Sequence, residues 1–239
     1  MTGRLLDRQV KLLEYLTSGS AIFSDKQKSP LDPSLEGIDR RMLDMEARFS
    51  HEKRMEKIAA VFPATLGLLG AAKDAILREF VEACPPQDIS RIENARQFQG
   101  YLVERWRREP PVAPYLPDVL AFELACAELR IHDDTEERRE TDLADAPRPA
   151  IRRKPGVILL RTTFDIRTVF ERDGRAVPPE RETLLAIALK SGDLQILEIG
   201  AEVFDLLSAL DRWTSTDGLS GADDLMTDLA QADLLELRR

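Results

Sequence analysis

The sequence has little of what disulfide-rich or membrane proteins depend on. It contains two cysteines, Cys84 and Cys126, with no CxxC spacing, so we expect buried free thiols rather than a disulfide. No run of about 18 apolar residues occurs, so no membrane span is expected. Residues 1–16 are amphipathic, carry Asp7 and Glu14, and lack the continuous apolar region of a signal peptide. These absences favour a cytoplasmic protein.

Motifs that carry chemistry are also missing. The chain has neither a GxGxxG nor a GxxxxGKS/T phosphate loop, and it has no GxSxG elbow. His51 lies in a charged helical stretch with Glu52 adjacent rather than one turn away, so we expect it at the surface or an interface. His132 precedes Asp133 and Asp134 at a helix end, where a cation complements the helix dipole and a ligand role is a minor alternative. We therefore assign no catalytic residue, metal or cofactor to this chain.

The balance of charge is acidic. The 239 residues include 34 Lys and Arg against 43 Asp and Glu, a net charge of -9. Affinity for nucleic acid and for anionic membranes comes mainly from Lys and Arg, so neither is an expected partner. A hydrophobic content of 43% is typical of a globular protein, and an aromatic content of 6% predicts cores built mainly of aliphatic residues.

The first half of the chain has the periodicity of helices. Apolar residues recur at helical spacing over 4–17, 38–60, 64–69, 71–83, 90–107 and 116–131. Asp88 or Ser90 is a candidate cap for one of these helices. Residues 133–154 combine a charge run with two prolines, and Pro155 follows directly; prolines block helix propagation. We predict an all-helical domain over 1–132, followed by an exposed linker over 133–154.

After residue 154 the pattern changes to that of strands. Alternating and β-branched residues predict strands over 157–160 continuing through 162–170, over 182–189 and over 194–199. Helices are expected over 201–213 and 222–232, with a short strand-like tail over 233–237. This order predicts a small winged-helix-like domain with a three-stranded antiparallel sheet over 155–239, so the whole chain is α+β.

The C-terminal domain carries a recognisable order of segments. GVILLR at 156–161 precedes two paired strands, AEVFDLL at 201–207 follows the last strand directly, and the helix 223–232 leads into Leu234 and Leu235. In this order it resembles the peptide-recognition domain of pathways for ribosomally made, modified peptides, whose archetype is the small chaperone of PQQ biosynthesis. The archetype has three helices after its strands, whereas two are predicted here.

The helical domain carries a second resemblance. Its landmarks are FPATLGLLG at 62–70, FVEACPP at 80–86, the segment 98–106, and PYLPDVLAFELA at 114–125. In this order they resemble the helical partner proteins of multinuclear non-haem iron oxidases, of which the methanobactin-pathway partner is the best known. Together the two resemblances cover residues 38–130 and 156–237. They imply a heterodimer with an iron enzyme, presentation of a precursor peptide, and iron ligands that belong to the other subunit.

The resemblance also implies where the peptide binds. In such modules a peptide adds as an extra strand beside the third strand and packs against the last helix. Carried over to this sequence, the strand edge comprises Leu194, Ile196, Leu197, Glu198 and Ile199, and the helix wall comprises Leu225, Met226 and Leu229. Packing into the core is the alternative for each of these apolar residues.

Six residues of the helical region are candidates for contact with the enzyme. Met42, Met45 and Phe49 form one stripe at helical spacing, for which core packing is the alternative. Tyr101, Trp106 and Tyr115 belong to the aromatic types that are enriched at interfaces.

The sequence therefore favours a non-catalytic accessory subunit that binds a precursor peptide and presents it to an iron-dependent oxidase. A winged-helix transcription regulator with a helical sensor domain is the alternative, and it needs a basic recognition surface. Residues 151–239 hold 12 Lys and Arg against 16 Asp and Glu, and residues 222–232 hold three Asp and no basic residue. Such a helix would be repelled by the major groove. An all-helical metalloenzyme is disfavoured because the Glu-x-x-His pairs of helix-bundle sites are missing.

Overall fold

The chain forms two compact units in the computed structural model. The structure describes residues 2–18, 31–88, 90–132, 149–171, 177–216 and 223–238. The first unit is Met1–Pro114 and the second is Tyr115–Arg239. Helices make up the first unit, whereas the second combines helices with two small antiparallel sheets. The predicted α+β fold is therefore confirmed.

Helices of the first unit begin and end where the local chemistry requires. They are α1 (Thr2–Thr17), α2 (Arg40–Ala59), α3 (Pro63–Leu69), α4 (Lys73–Ala83) and α5 (Arg91–Arg108). The Ser90 hydroxyl caps α5 by accepting a hydrogen bond from the amide of Glu93 at 3.2 Å. Asp39 caps α2 by accepting from the amide of Arg41 at 2.9 Å. Pro63 takes the first turn of α3, where its missing N–H is not needed. All five predicted helices are confirmed within two residues at each end.

Phenylalanine forms the centre of the first unit's core. The rings of Phe62 and Phe98 lie 5.6 Å apart, and Phe80 meets Phe98 edge-on at 5.2 Å. All three side chains are fully buried. Each ring buries more area than an aliphatic side chain, so three phenylalanines are enough to form an aromatic centre in a chain with few aromatic residues. The aliphatic residues that the composition predicts surround it.

A buried arginine joins three elements of this unit. The Arg54 guanidinium on α2 donates to the Asn94 side-chain oxygen at 2.7 Å and to that of Gln97 at 2.8 Å. It also donates to the carbonyl of Cys84 at 2.5 Å and lies 4.6 Å from the centre of the Phe80 ring. Burial lowers the pKa of Arg54. Neutral acceptors from α5 and from the end of α4 thus hold this charge, so the network fixes how α2, α4 and α5 pack.

The second unit contains one long helix, several short ones and six strands among the described residues. They are α6 (Leu116–His132), β1 (Ala150–Arg153), β2 (Val157–Phe164), α7 (Arg167–Glu171), β3 (Glu180–Lys190), β4 (Asp193–Glu198), α8 (Ala201–Ala209), β5 (Thr214–Ser215), α9 (Asp223–Gln231) and β6 (Leu235–Arg238). The predicted three-stranded antiparallel sheet is confirmed in the order β2–β3–β4. A second sheet, β5–β1–β6, was predicted only in its last strand.

A tight turn sets the register of the β3–β4 hairpin. Ser191 and Gly192 have positive φ angles of 54° and 86°, as a two-residue type I′ turn requires. Lys190 therefore pairs with Asp193, and the ladder continues to the end of β4. This turn thus decides which residues of β4 face the core.

Helix α6 lies in the second unit, whereas the sequence pattern groups it with the helical domain over 1–132. It packs against β2 and β3. The carboxylate of its Asp118 accepts hydrogen bonds from the amides of Thr163 and Phe164 at 2.8 and 3.0 Å. These contacts join residues 45 and 46 positions apart, so local periodicity does not reveal them.

The last part of the predicted linker is a strand. Strand β1 begins at Ala150, within the range 133–154, and pairs with β6 at the other end of the unit. Its Ile151 is fully buried. Residues 133–148 lie outside the described part of the chain. The proline-rich stretch therefore ends in a core strand rather than in solvent.

Candidate functional site

The outer edge of strand β4 is open. The amide of Ile199 donates to the carbonyl of Leu184 at 2.9 Å. In an antiparallel pair this bond shows that every second residue of β4, counted from Ile199, directs its backbone N–H and C=O groups toward β3. By the register, the N–H and C=O groups of Leu194, Ile196 and Glu198 then point away from β3. Within the described ranges no strand pairs with this side of β4. The edge offers alternating donors and acceptors to an added strand.

Apolar side chains flank this edge on both faces of the sheet. Leu197 and Ile199 are half-buried and pack against the second unit's core. Because successive side chains alternate between faces, Leu194 and Ile196 lie on the opposite face. Ile196 is 38% exposed. A strand added beside β4 would therefore find apolar contacts on either face.

Helix α9 packs on the same face of the sheet as the core-facing side chains of β4. Its Met226 and Leu229 belong to the core cluster that Leu197 contacts. Leu225 is 37% exposed. Of the three residues expected to form a helix wall, two lie in the core and Leu225 lies at the surface.

Charged residues hold the end of β4 in place. The Glu198 carboxylate accepts from Arg181 at 2.5 Å and from Arg167 at 2.6 Å. Asp165, itself buried, accepts from the same two arginines at 2.5 and 2.8 Å. Hydrogen bonds from Arg167 and Arg181 hold the pKa of Asp165 well below its usual range, and Arg181 lowers the pKa of Glu198. The Glu198 carboxylate therefore anchors the edge strand within the chain, while its backbone remains available.

Acid is expected to weaken this anchor. A carboxyl whose pKa is lowered by folding adds stability that is complete above its ordinary pKa of about 4 and is lost as the pH falls toward the lowered value. The free energy of unfolding of the second unit should therefore decline below about pH 4, and less steeply in Asp165→Asn. Urea unfolding followed by Trp213 fluorescence in a Trp106→Phe background measures this decline. An unchanged pH dependence in Asp165→Asn would contradict the assignment, and exposed Glu182→Gln is the control.

The opposite edge of the same sheet is blocked at both ends. At one end the amide of Thr163 donates to the Asp118 carboxylate. At the other end the Val157 carbonyl accepts from Arg153 at 3.2 Å, and the Val157 amide donates to the carbonyl of Lys154 at 3.0 Å. Proteins protect edges that must not pair. Among the described residues, β4 is therefore the less protected edge of this sheet.

Gln195 places an unused acceptor beside the open edge. Its Oε1 is buried and has no hydrogen-bond partner among the residues that the structure describes. The parity of β4 puts this side chain on the face of Leu197. A buried oxygen without a donor costs about 1–3 kcal/mol, so a ligand that supplies a donor there would be stabilised. The sequence reasoning missed this residue because a glutamine on an alternating strand looks solvent-facing.

The six residues considered for enzyme contact separate into two groups. Three are exposed along one side of α2, namely Met42, Met45 and Phe49. Trp106 and Tyr115 are buried within their own units. Tyr101 is half-buried with its ring 5.4 Å from that of Phe80. The stripe on α2 is therefore the candidate surface, and the aromatic residues serve mainly in packing.

Of the two histidines, the structure describes the side chain of His51. His51 is 2% exposed, so the expectation of a surface position is wrong. The charged neighbours Arg48, Glu52 and Lys53 are exposed on other faces of α2, whereas Arg54 is buried like His51. Burial lowers the pKa of His51, and the charge of Arg54 lowers it further. The side chain of His132, with Asp133 and Asp134, lies outside the described residues.

Comparisons with known proteins assign no family. No family model matches the chain, and no curated protein matches it. In the described ranges no group of three or more His, Cys, Asp and Glu side chains is placed to hold a metal ion. No single described helix is long and apolar enough to cross a membrane, and only the pair Arg40–Ala59 with Pro63–Ala83, bent by 101°, meets those criteria jointly. The geometry of β4 is therefore the main guide to function.

Proposed function

We propose that this chain is a non-catalytic accessory subunit that binds a ribosomally made precursor peptide and presents it to a partner iron-dependent oxidase. The observation that carries the proposal is the open outer edge of β4, flanked by apolar side chains, in a sheet whose other edge is blocked. Strand addition uses such an edge for affinity and the neighbouring pockets for specificity. Leu194, Ile196 and Leu197 would contact the peptide, together with Leu225 on α9.

The order of elements supports a winged-helix-like peptide-recognition domain. The sheet β2–β3–β4 is followed directly by α8 and then by α9, which packs on the sheet's core face. The second sheet, β5–β1–β6, joins the start and the end of this domain. In the proposal, the edge strand and the last helix together form the binding groove.

The exposed stripe on α2 supports a contact with the enzyme. Met42, Met45 and Phe49 lie at i, i+3 and i+7, so they share one helix face. Methionine and phenylalanine are enriched at protein interfaces. The helix α1 packs against α2 and also exposes apolar residues, which are Leu5, Leu6, Val10 and Leu13. The proposed heterodimer would cover this side of α2, and the iron would be held by the partner.

Co-expression tests the proposal. The tagged chain is produced with the enzyme and the short peptide encoded by neighbouring genes, and the purified material is analysed for protein and metal. Stoichiometric co-elution with iron present only in the complex is the expected result. Phe49→Asp should lose the enzyme but retain the peptide, while Val112→Asp, at a fully exposed residue, should retain both. A chain that elutes alone, holds its own metal or binds duplex DNA would contradict the proposal.

A further inference from the structure

The stretch that contains the open edge is strongly acidic. Between Asp193 and Asp233 the sequence has ten Asp and Glu residues and a single basic residue, Arg212. The described elements of this stretch are β4, α8, β5 and α9, and β5 carries no charged residue. The acidic character is therefore concentrated on the strand edge and on the helices that follow it.

Most of these described carboxylates are free to act on a ligand. Glu198 is paired with arginines, and Asp233 is paired with Lys154 at 2.5 Å. Five others are exposed, and no ion pair joins them to a described residue: Asp193, Glu202, Asp205, Asp224 and Asp228. The turn end of β4 and the exposed faces of α8 and α9 thus carry uncompensated negative charge.

The basic residues of the second unit are largely engaged elsewhere. Arg152 pairs with Glu236 at 2.8 Å, and Arg161 pairs with Glu182 at 3.0 Å. Lys190, beside the hairpin turn, reaches the carbonyl of Gln231 at 3.5 Å. Their positive charge is therefore directed at the chain's own groups: Lys190 lies at the C-terminal end of α9, and none of the three forms an ion pair with Asp224 or Asp228.

We propose that the peptide that binds β4 is basic, with Lys or Arg between apolar residues. This inference rests on the proposed function. Leu225 and Asp228 are three residues apart on α9, so an exposed apolar contact and a carboxylate share one helix face, with Asp224 beside them. An apolar side chain of the peptide would meet Leu225, and a long cationic neighbour would reach these carboxylates. Acidic peptides, duplex DNA and anionic lipid would be repelled.

Two labelled peptide pools test the charge preference. Both contain peptides of about ten residues with Leu, Ile or Val at alternate positions. The intervening positions hold Lys or Gln in one pool and Glu or Gln in the other. Fluorescence anisotropy with the full chain should show the basic pool binding at least about tenfold more tightly at about 50 mM salt, and the preference should shrink at about 300 mM salt. Asp224→Asn with Asp228→Asn should lower the affinity for the basic pool by about threefold to tenfold.

A matched pair of substitutions controls for net charge. Asp7→Asn with Glu46→Gln removes the same charge from exposed positions of the first unit and should leave the preference unchanged. If both pools bind equally and Ile196→Pro abolishes that binding, the charge inference is overturned and the proposed function stands. Binding of neither pool would overturn both. Equal effects of the two double substitutions would show that only net charge acts, which would also overturn the inference.

Discussion

Replacing Arg54 with alanine is expected to lower the free energy of unfolding of the first unit by about 3 kcal/mol. The substitution leaves the side-chain oxygens of Asn94 and Gln97 and the carbonyl of Cys84 without their donor. Each unmet buried acceptor costs about 1–3 kcal/mol, and removal of a poorly solvated charge offsets part of that loss. Lost packing against Phe80 adds to it.

The two tryptophans allow this effect to be assigned to one unit. Trp106 lies in the first unit and Trp213 in the second, and the chain has no other tryptophan. Urea unfolding in a Trp213→Phe background therefore reports the first unit. Arg54→Lys should be intermediate at best, because an ammonium group cannot reproduce the guanidinium's planar set of donors. Exposed Arg41→Ala is the control. A loss below about 1 kcal/mol for Arg54→Ala would show that the network is not a main determinant of packing.

Ile196→Pro is expected to reduce peptide affinity by about tenfold to a hundredfold while the second unit stays folded. Proline removes the outward N–H of Ile196 and leaves the inward ladder to β3 intact, which is why proline is tolerated on edge strands. Loss of one backbone hydrogen bond, with a steric block at the centre of the edge, corresponds to about 1.5–3 kcal/mol. Anisotropy with the basic peptide pool measures affinity, and Trp213 fluorescence reports folding.

The opposite edge of the sheet provides the matched control. The backbone N–H of Arg161 on β2 points away from β3, as that of Ile196 does on β4. Arg161→Pro therefore removes an equivalent N–H from the opposite edge. We expect this variant to bind peptide with wild-type affinity. Equal losses in Ile196→Pro and Arg161→Pro would indicate general damage to the sheet and would contradict binding at β4.

Local patterns predict the elements of this fold better than their grouping. The longer helices and the β3–β4 hairpin follow from apolar periodicity, a cap at Ser90 and a tight turn at Gly192, whereas α7 lies in the stretch 162–170 that the sequence pattern predicts as strand. The second sheet does not, because β1 and β5 are short and β1 pairs with a strand at the end of the chain. The position of α6 depends on contacts of Asp118 with β2. Pairings over such separations leave no periodic signal in the sequence.

The candidate site was predictable in position but not in chemistry. Alternation along β4 identifies an edge, whereas the anchoring of Glu198 by Arg181 and Arg167 depends on side chains that only the fold brings together. The fold also decides that Trp106 is buried whereas Phe49 is exposed. Residue type alone does not distinguish an aromatic anchor at an interface from one in a core.

Amide hydrogen exchange on the full chain, with and without the tightest-binding peptide, tests the central claim most directly. The outward amides of Leu194, Ile196 and Glu198 should exchange fast in the free chain and slow down on binding, while the inward amides of Gln195 and Leu197 should be slow in both states. This alternation is the signature of an added strand. Bound peptide that leaves the three outward amides unprotected would contradict recognition at β4.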